Sequence, residues 1–210
     1  MDELTARIGK ELSQILDGFR FVKSRWQLVR KVDEGWQAIE IEVLPTANPD
    51  KIKLAAHAQV RLDRIEEAYS PFHPFLNGTE AKTHATITTN CDPLLAETNV
   101  VHGFAADDES VDSFIVEYAD ALKTHVLPWL EQYSTEEAVF NGLIDDDPTK
   151  WITSDRLTRY PVVLAVLANR GNWDDFDRIS QEFLKFCESP HAQMYKPLAE
   201  SLATGLRVTT

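Results

Sequence analysis

The sequence predicts an α+β fold: an N-terminal helix and a mainly antiparallel, four-stranded sheet, followed by an all-helical C-terminal portion. Three observations predict it. Apolar residues between positions 19 and 90 recur with a period near two, and near residue 105 the period changes to that of a helix. The 210 residues include ten Phe, five Trp and five Tyr, enough to fill a core without help from a disulfide or metal. The expected portions are 1–103, carrying the sheet, and 104–210, all helical, packed together as one body.

Each element follows from its own pattern. Leu4, Ile8, Leu12, Ile15 and Leu16 form one apolar stripe at spacings of three and four, and Gly18 closes that first helix. Three strand-like segments follow, 19–31, 36–45 and 51–62, separated by Asp33-Glu34-Gly35 and Ala47-Asn48-Pro49-Asp50 at hairpin-like lengths. In the third, Ile52, Leu54, Ala56, Ala58, Val60 and Leu62 point one way, and Lys51, Lys53, His57, Gln59 and Arg61 the other. A short helix or turn over 63–69 leads into the proline-aromatic loop 70–78, and residues 83–90 predict the fourth strand. Val111, Phe114, Ile115, Tyr118, Leu122, Val126, Trp129 and Leu130 mark a long amphipathic helix that Pro128 should bend or end. Ser134-Thr135-Glu136-Glu137 opens a short helix that Gly142 would close. Pro161 suits a first helical turn before the buried run Val162–Leu167, Asn172 caps the next helix, and Leu198, Leu202 and Leu206 mark a terminal one.

Composition excludes several function classes. With 34 acidic against 21 basic residues, the formal charge is -13, which argues against general affinity for nucleic acid or an anionic membrane. The N-terminal stretch has no apolar run of signal-peptide length, and nothing later approaches the roughly 18 apolar residues of a membrane span. A cytoplasmic chain is expected. Cys91 and Cys187 stand far apart with no metal-binding companions, so two buried free thiols are expected.

The charge is unevenly distributed. Residues 104–156 hold 13 acids and 3 bases, whereas 157–210 hold six of each. Asp107, Asp108 and Glu109, at the positive end of the long helix, and the connector Asp145-Asp146-Asp147 are therefore the candidate binding residues for a basic protein partner; a solvated face is the plainer reading. The connector lacks the spacing of a calcium loop, and no metal or other cofactor is indicated. Lys23 and Arg25, read as strand residues, are expected to pair with Glu40 or Glu42 across the sheet.

No catalytic signature occurs, so a non-enzymatic role is the leading expectation. A second candidate site consists of His57 and His84, both read onto the polar face of strands, with His73, Phe72 and Phe75 of the loop able to rim them. No carboxylate is placed by sequence to orient either imidazole.

The helix VEYADALKTHVLPWLEQYST, ending in Leu127-Pro128-Trp129-Leu130 before a capped helix at Ser134, together with the N-terminal helix and meander, resembles small bacterial α+β proteins of unknown function of the immunity-protein type. The resemblance covers residues 1–142 and rests on structural motifs. It implies binding and inhibition of a basic toxin or nuclease, and it assigns no site residue.

Overall fold

The computed structural model describes residues 2–73, 76, 78–145, 152–153 and 156–209. The fold is α+β, and its chain divides into two compact units, Met1–Val60 with Thr88–Ser134, and Arg61–Ile87 with Thr135–Thr210. Each unit thus draws chain from both sides of residue 104. No helix among the described residues is long and apolar enough to cross a membrane.

In the first unit, α1 (Asp2–Ile15) buries Ile8 and Leu12 against the sheet, and Gly18, at φ 77, turns the chain out of it. Gly9 is a steric requirement, because a Cβ there would run into the Phe21 ring. The sheet has five strands in the order β1 (Arg20–Val22), β2 (Gln27–Val32), β3 (Gly35–Pro45), β4 (Ile52–Leu62) and β5 (Ile87–Asn90). The fifth strand arises because residues 19–31 fold back on themselves instead of running straight. Lys23–Arg25 form a 3₁₀ turn, and Trp26 takes the left-handed conformation at φ 53, so that Val22 faces Gln27 and Arg20 faces Val29. Lys23-Ser24-Arg25 offers no apolar side chain to hold a strand against a core, whereas Trp26 contacts the Phe21 ring across the turn. Gln27 takes the position opposite Glu40 instead, and Gln59 bonds the same carboxylate at 2.8 Å. The pairing expected for Lys23 and Arg25 with Glu40 or Glu42 is therefore replaced by a glutamine–glutamate ladder.

The last strand is also shorter than expected. Residues 78–83 form α3 (Gly78–Thr83), and β5 begins only at Ile87, so His84 lies off the sheet. Thr86, buried just before β5, accepts a hydrogen bond from the Leu62 amide at 2.9 Å.

The long helix is α4 (Asp108–Ala121), continued through Leu122–Val126 as a wider π turn into α5 (Leu127–Gln132). Pro128 has no N–H and its ring would press on the carbonyl four residues back. Just before it, the Leu127 amide donates to Leu122, five residues away, which inserts the extra residue of a π bulge. Gln37, buried on β3, donates to the Leu130 carbonyl at 2.6 Å and ties α5 to the sheet.

The second unit holds α2 (Asp63–Tyr69), α3, α6 (Glu136–Leu143), α7 (Arg156–Asn169), α8 (Trp173–Phe186) and α9 (Lys196–Thr209). Thr135 caps α6 by accepting from the Ala138 amide, and Asn172 caps α8 through the Asp175 amide. Residues 161–168 of α7 are all buried, as the unbroken apolar run requires. Two sequence expectations are corrected here. Gly142 lies inside α6, where a Cβ would crowd Ile152, and Pro161 sits in the second turn of a helix that starts at Arg156.

Candidate functional site

The acidic residues are individually accounted for. Asp107 is the N-cap of α4; its carboxylate accepts from the Ser110 amide at 3.0 Å, and that bond holds it below the usual carboxylate range. Asp108 and Asp112 both bind Arg7 of α1 at 2.5 Å, which leaves Glu109 without an ionic partner among the described residues. Val116, Glu117 and Asp120 continue the outward stripe of α4. Asp145 is exposed and belongs to the second unit; Asp146 and Asp147 lie outside the described residues.

A groove of about 570 Å³ runs beside α4. Glu109, Ser113 and Glu117, at successive four-residue steps of α4, line it together with Lys51 and His102. Its floor includes Phe104 and Phe114, whose rings stack at 3.8 Å between centroids and 11° between planes. Phe104 is held by a two-way backbone bridge to Ile52 at the start of β4. The preceding Gly103, at φ 81, is required there: a Cβ would come within 2.7 Å of the Ile52 carbonyl oxygen.

His57 is exposed on β4, whereas His84 lies between α3 and β5, off any strand, so the expectation that both stand on strands is corrected for His84. His84 instead meets a carboxylate that the sequence reading lacked. Glu66, one turn into α2 and 0% exposed, accepts from the Tyr69 hydroxyl at 2.9 Å and from His84 Nδ1 at 3.1 Å. An ionised carboxylate can only accept, so the His84 Nδ1 facing it carries a proton, and the Tyr69 hydroxyl oxygen stands 3.1 Å from that same nitrogen. Arg61 Nη1 stands 3.8 Å from the same carboxylate. Arg61 also donates to Asp63 at 2.6 Å and to the carbonyls of Ala81 and His84, fastening the α3–β5 connection to α2. Burial, followed by the nearby Glu66, drives the Tyr69 hydroxyl well above its ordinary value.

The His73 ring lies 6.2 Å from that of His84, and burial, followed by that neighbour, lowers its pKa. Phe72 turns elsewhere. It fills the space left by Gly205 on α9 and lines a separate cavity of about 290 Å³ with Arg64, Glu67 and Leu206, which neither His73 nor His84 lines. Phe75 lies outside the described residues. Glu66–His84 has the form of a carboxylate-oriented base, but among the described residues no serine, threonine or cysteine bonds the imidazole. Cys91 is buried, and burial pushes its thiol up to about 12, away from the thiolate a nucleophile needs. No group of three or more potential metal ligands occurs among the described residues.

The sequence reading missed both Glu66 and the groove. Glu66 was open to detection as the one acid on the buried stripe Ile65-Glu66-Tyr69 of α2, whereas the groove depends on Phe104 bridging Ile52 through the backbone and stacking on Phe114, contacts with no local signature. No family model matches this chain, and neither a curated protein nor a solved structure matches it.

Proposed function

We propose that this protein is a non-enzymatic interaction module that docks a basic protein on the outward face of α4, with inhibition of a basic toxin or nuclease, an immunity-type role, as its sharp form. One observation carries this reading: Glu109, Asp112, Glu117 and Asp120 share an exposed helical face with Val116, a large apolar side chain left 57% exposed. Carboxylates around an apolar contact suit steering followed by desolvation at a small centre. The excess of acids on this stretch supplies the field; Arg7 offsets Asp108 and Asp112, and Lys123 stands 3.8 Å from Asp120 on the same exposed helix.

Stopped-flow association with a hexalysine peptide and with the product of any adjacent reading frame tests it. Asp112→Lys with Asp120→Lys should slow association by about tenfold or more at low salt and flatten its salt dependence. Unchanged rates would refute it. Charge reversal at Asp145, Asp146 and Asp147 then reports whether the connector takes part.

A second reading, a small-molecule site at His84, is favoured by the Glu66 carboxylate that orients the imidazole. Ligand-induced thermal shifts that vanish in His84→Ala but survive His57→Ala would support it, and no shift across a panel of small acids, esters and amines would end it.

A further inference from the structure

We infer that His73 and His84 together bind one divalent transition-metal ion such as Zn²⁺. The inference does not depend on the docking face, and although it uses the imidazole of the second reading it needs no organic ligand. Glu66, fully buried, accepts from His84 Nδ1 at 3.1 Å. Neutral His84 therefore keeps its lone pair on Nε2, which no described residue bonds, on a side chain 35% exposed. A carboxylate on one ring nitrogen and a lone pair on the other is how proteins orient metal-ligating histidines. The second imidazole is close. The His73 ring centroid lies 6.2 Å from that of His84, with 40° between the planes. Metal–nitrogen bonds of about 2.0–2.1 Å put each ring centroid about 3.2 Å from the metal, so one ion spans rings up to about 6.4 Å apart. A tetrahedral angle between the two bonds asks the rings to close by about 1 Å, a small side-chain rotation.

Both imidazoles are held by their surroundings. The buried Tyr69 ring lies 6.3 Å from His73 and 6.4 Å from His84 and contacts the two together. Arg61 donates to the His84 carbonyl at 2.9 Å, and the His73 amide donates to the Ser70 carbonyl at 3.1 Å across the turn Ser70–Phe72. Phe72, next in chain to His73, packs against Gly205 of α9. Charge and ligand type select the ion. Arg61 faces two carboxylates, Asp63 at 2.6 Å and Glu66 at 3.8 Å, so two acids stand against one base and a cation is tolerated. Burial, followed by the neighbouring His84, lowers the pKa of His73, which favours the neutral imidazole that a metal requires. Imidazole suits Zn²⁺, Ni²⁺ and Cu²⁺, whereas Mg²⁺ and Ca²⁺ take oxygen ligands. Since no group of three ligands forms among the described residues, water takes the remaining positions and the ion exchanges readily.

The test is calorimetric titration of the full chain with ZnCl₂, MgCl₂ and CaCl₂, joined to imidazole ¹⁵N NMR. Zn²⁺ should saturate one site with a Kd below about 100 µM and move the His84 Nε2 and His73 resonances, while Mg²⁺ and Ca²⁺ leave them in place. His84→Ala should abolish that site and His73→Ala weaken it at least tenfold; the second variant leaves the Glu66–His84 bond intact, so it reports on binding even where the first unfolds. His57→Ala, at an exposed position on β4, should change nothing. Glu66→Gln should weaken Zn²⁺ about 10–100-fold, with the ¹⁵N shifts reading loss of the Nδ1-protonated form. Zn²⁺ binding that survives His73→Ala unchanged, that Mg²⁺ matches, or that His57→Ala removes would overturn the inference. Metal binding without any thermal shift from acids, esters or amines would keep the metal site and end the second reading, and organic-ligand shifts without metal binding would do the reverse.

Discussion

Replacing Glu66 with glutamine changes almost no volume and removes the charge at the centre of the second unit's buried network. The native carboxylate gives one oxygen to Tyr69 at 2.9 Å and the other to His84 Nδ1 at 3.1 Å, and stands 3.8 Å from an Arg61 side chain only 8% exposed. Glutamine has one acceptor. Its oxygen keeps the Tyr69 bond, and its amide meets His84 only if the imidazole moves its proton to Nε2. Two charge-assisted bonds thus become neutral ones, at about 0.5–1 kcal/mol each. Arg61 loses one of its two carboxylates but keeps Asp63 and two carbonyls, so we assign about 1 kcal/mol to that loss. The total is about 2–3 kcal/mol, a sizeable share of the roughly 5–15 kcal/mol of a typical domain. Urea unfolding at pH 7, with the denaturant slope checked for constancy, reads the stability, and imidazole ¹⁵N shifts read the tautomer. Glu66→Leu should cost more, roughly 3–5 kcal/mol, because Arg61 then loses a buried carboxylate outright and Tyr69 and His84, 3.1 Å apart, are left with only each other. A loss under about 0.5 kcal/mol for Glu66→Gln, with His84 still protonated on Nδ1, would refute the reasoning.

Other consequences are open to measurement. The Cys91 thiol rises from its usual 9.0 to about 12 through burial, so above pH 9 the unfolded chain gives up its proton first and the folded state holds more protons. Stability on that account is full below pH 9 and falls as pH rises toward 12, by about 1.4 kcal/mol per unit, with Tyr69 and Tyr118 acting in the same direction above their ordinary value of 10. Urea midpoints at pH 8 and 11 should converge partly in Cys91→Ala; an identical pH dependence would contradict this. Gly205→Ala would drive a methyl into the Phe72 ring and should cost about 1–3 kcal/mol in thermal unfolding, relieved in the double variant with Phe72→Ala. Arg7→Gln frees Asp108 and Asp112, so hexalysine should associate faster with it at low salt; slower association would count against the α4 face.

Much of the architecture was legible because it is written at short range. The first helix, the alternation of β4, the capping pattern at Ser134-Thr135, the cap at Asn172, and the interruption before Pro128 all follow from spacings of two to five residues, over which sequence and backbone geometry are coupled directly. What failed were signals that two conformations share. Residues 19–31 alternate polar and apolar side chains whether they run straight or turn back at Trp26, and only the pairing of Val22 with Gln27 decides it. Residues 83–86 look β-branched enough for a strand, yet Arg61 captures the carbonyls of Ala81 and His84 and holds that stretch beside α2.

The acidity of residues 104–156 was determined by sequence alone, since charge is a sum over residues and needs no fold. Which acids stay available was decided by tertiary structure, because Arg7, about a hundred residues earlier, binds Asp108 and Asp112 and leaves Glu109 and Glu117. The same holds for the two candidate sites. Glu66 meets His84 across 18 positions, and the groove closes where Phe104 bridges Ile52, 52 positions back. Both depend on long-range contacts whose loop-closure cost is offset only by the packing of the whole unit, and no local pattern in the chain records that balance.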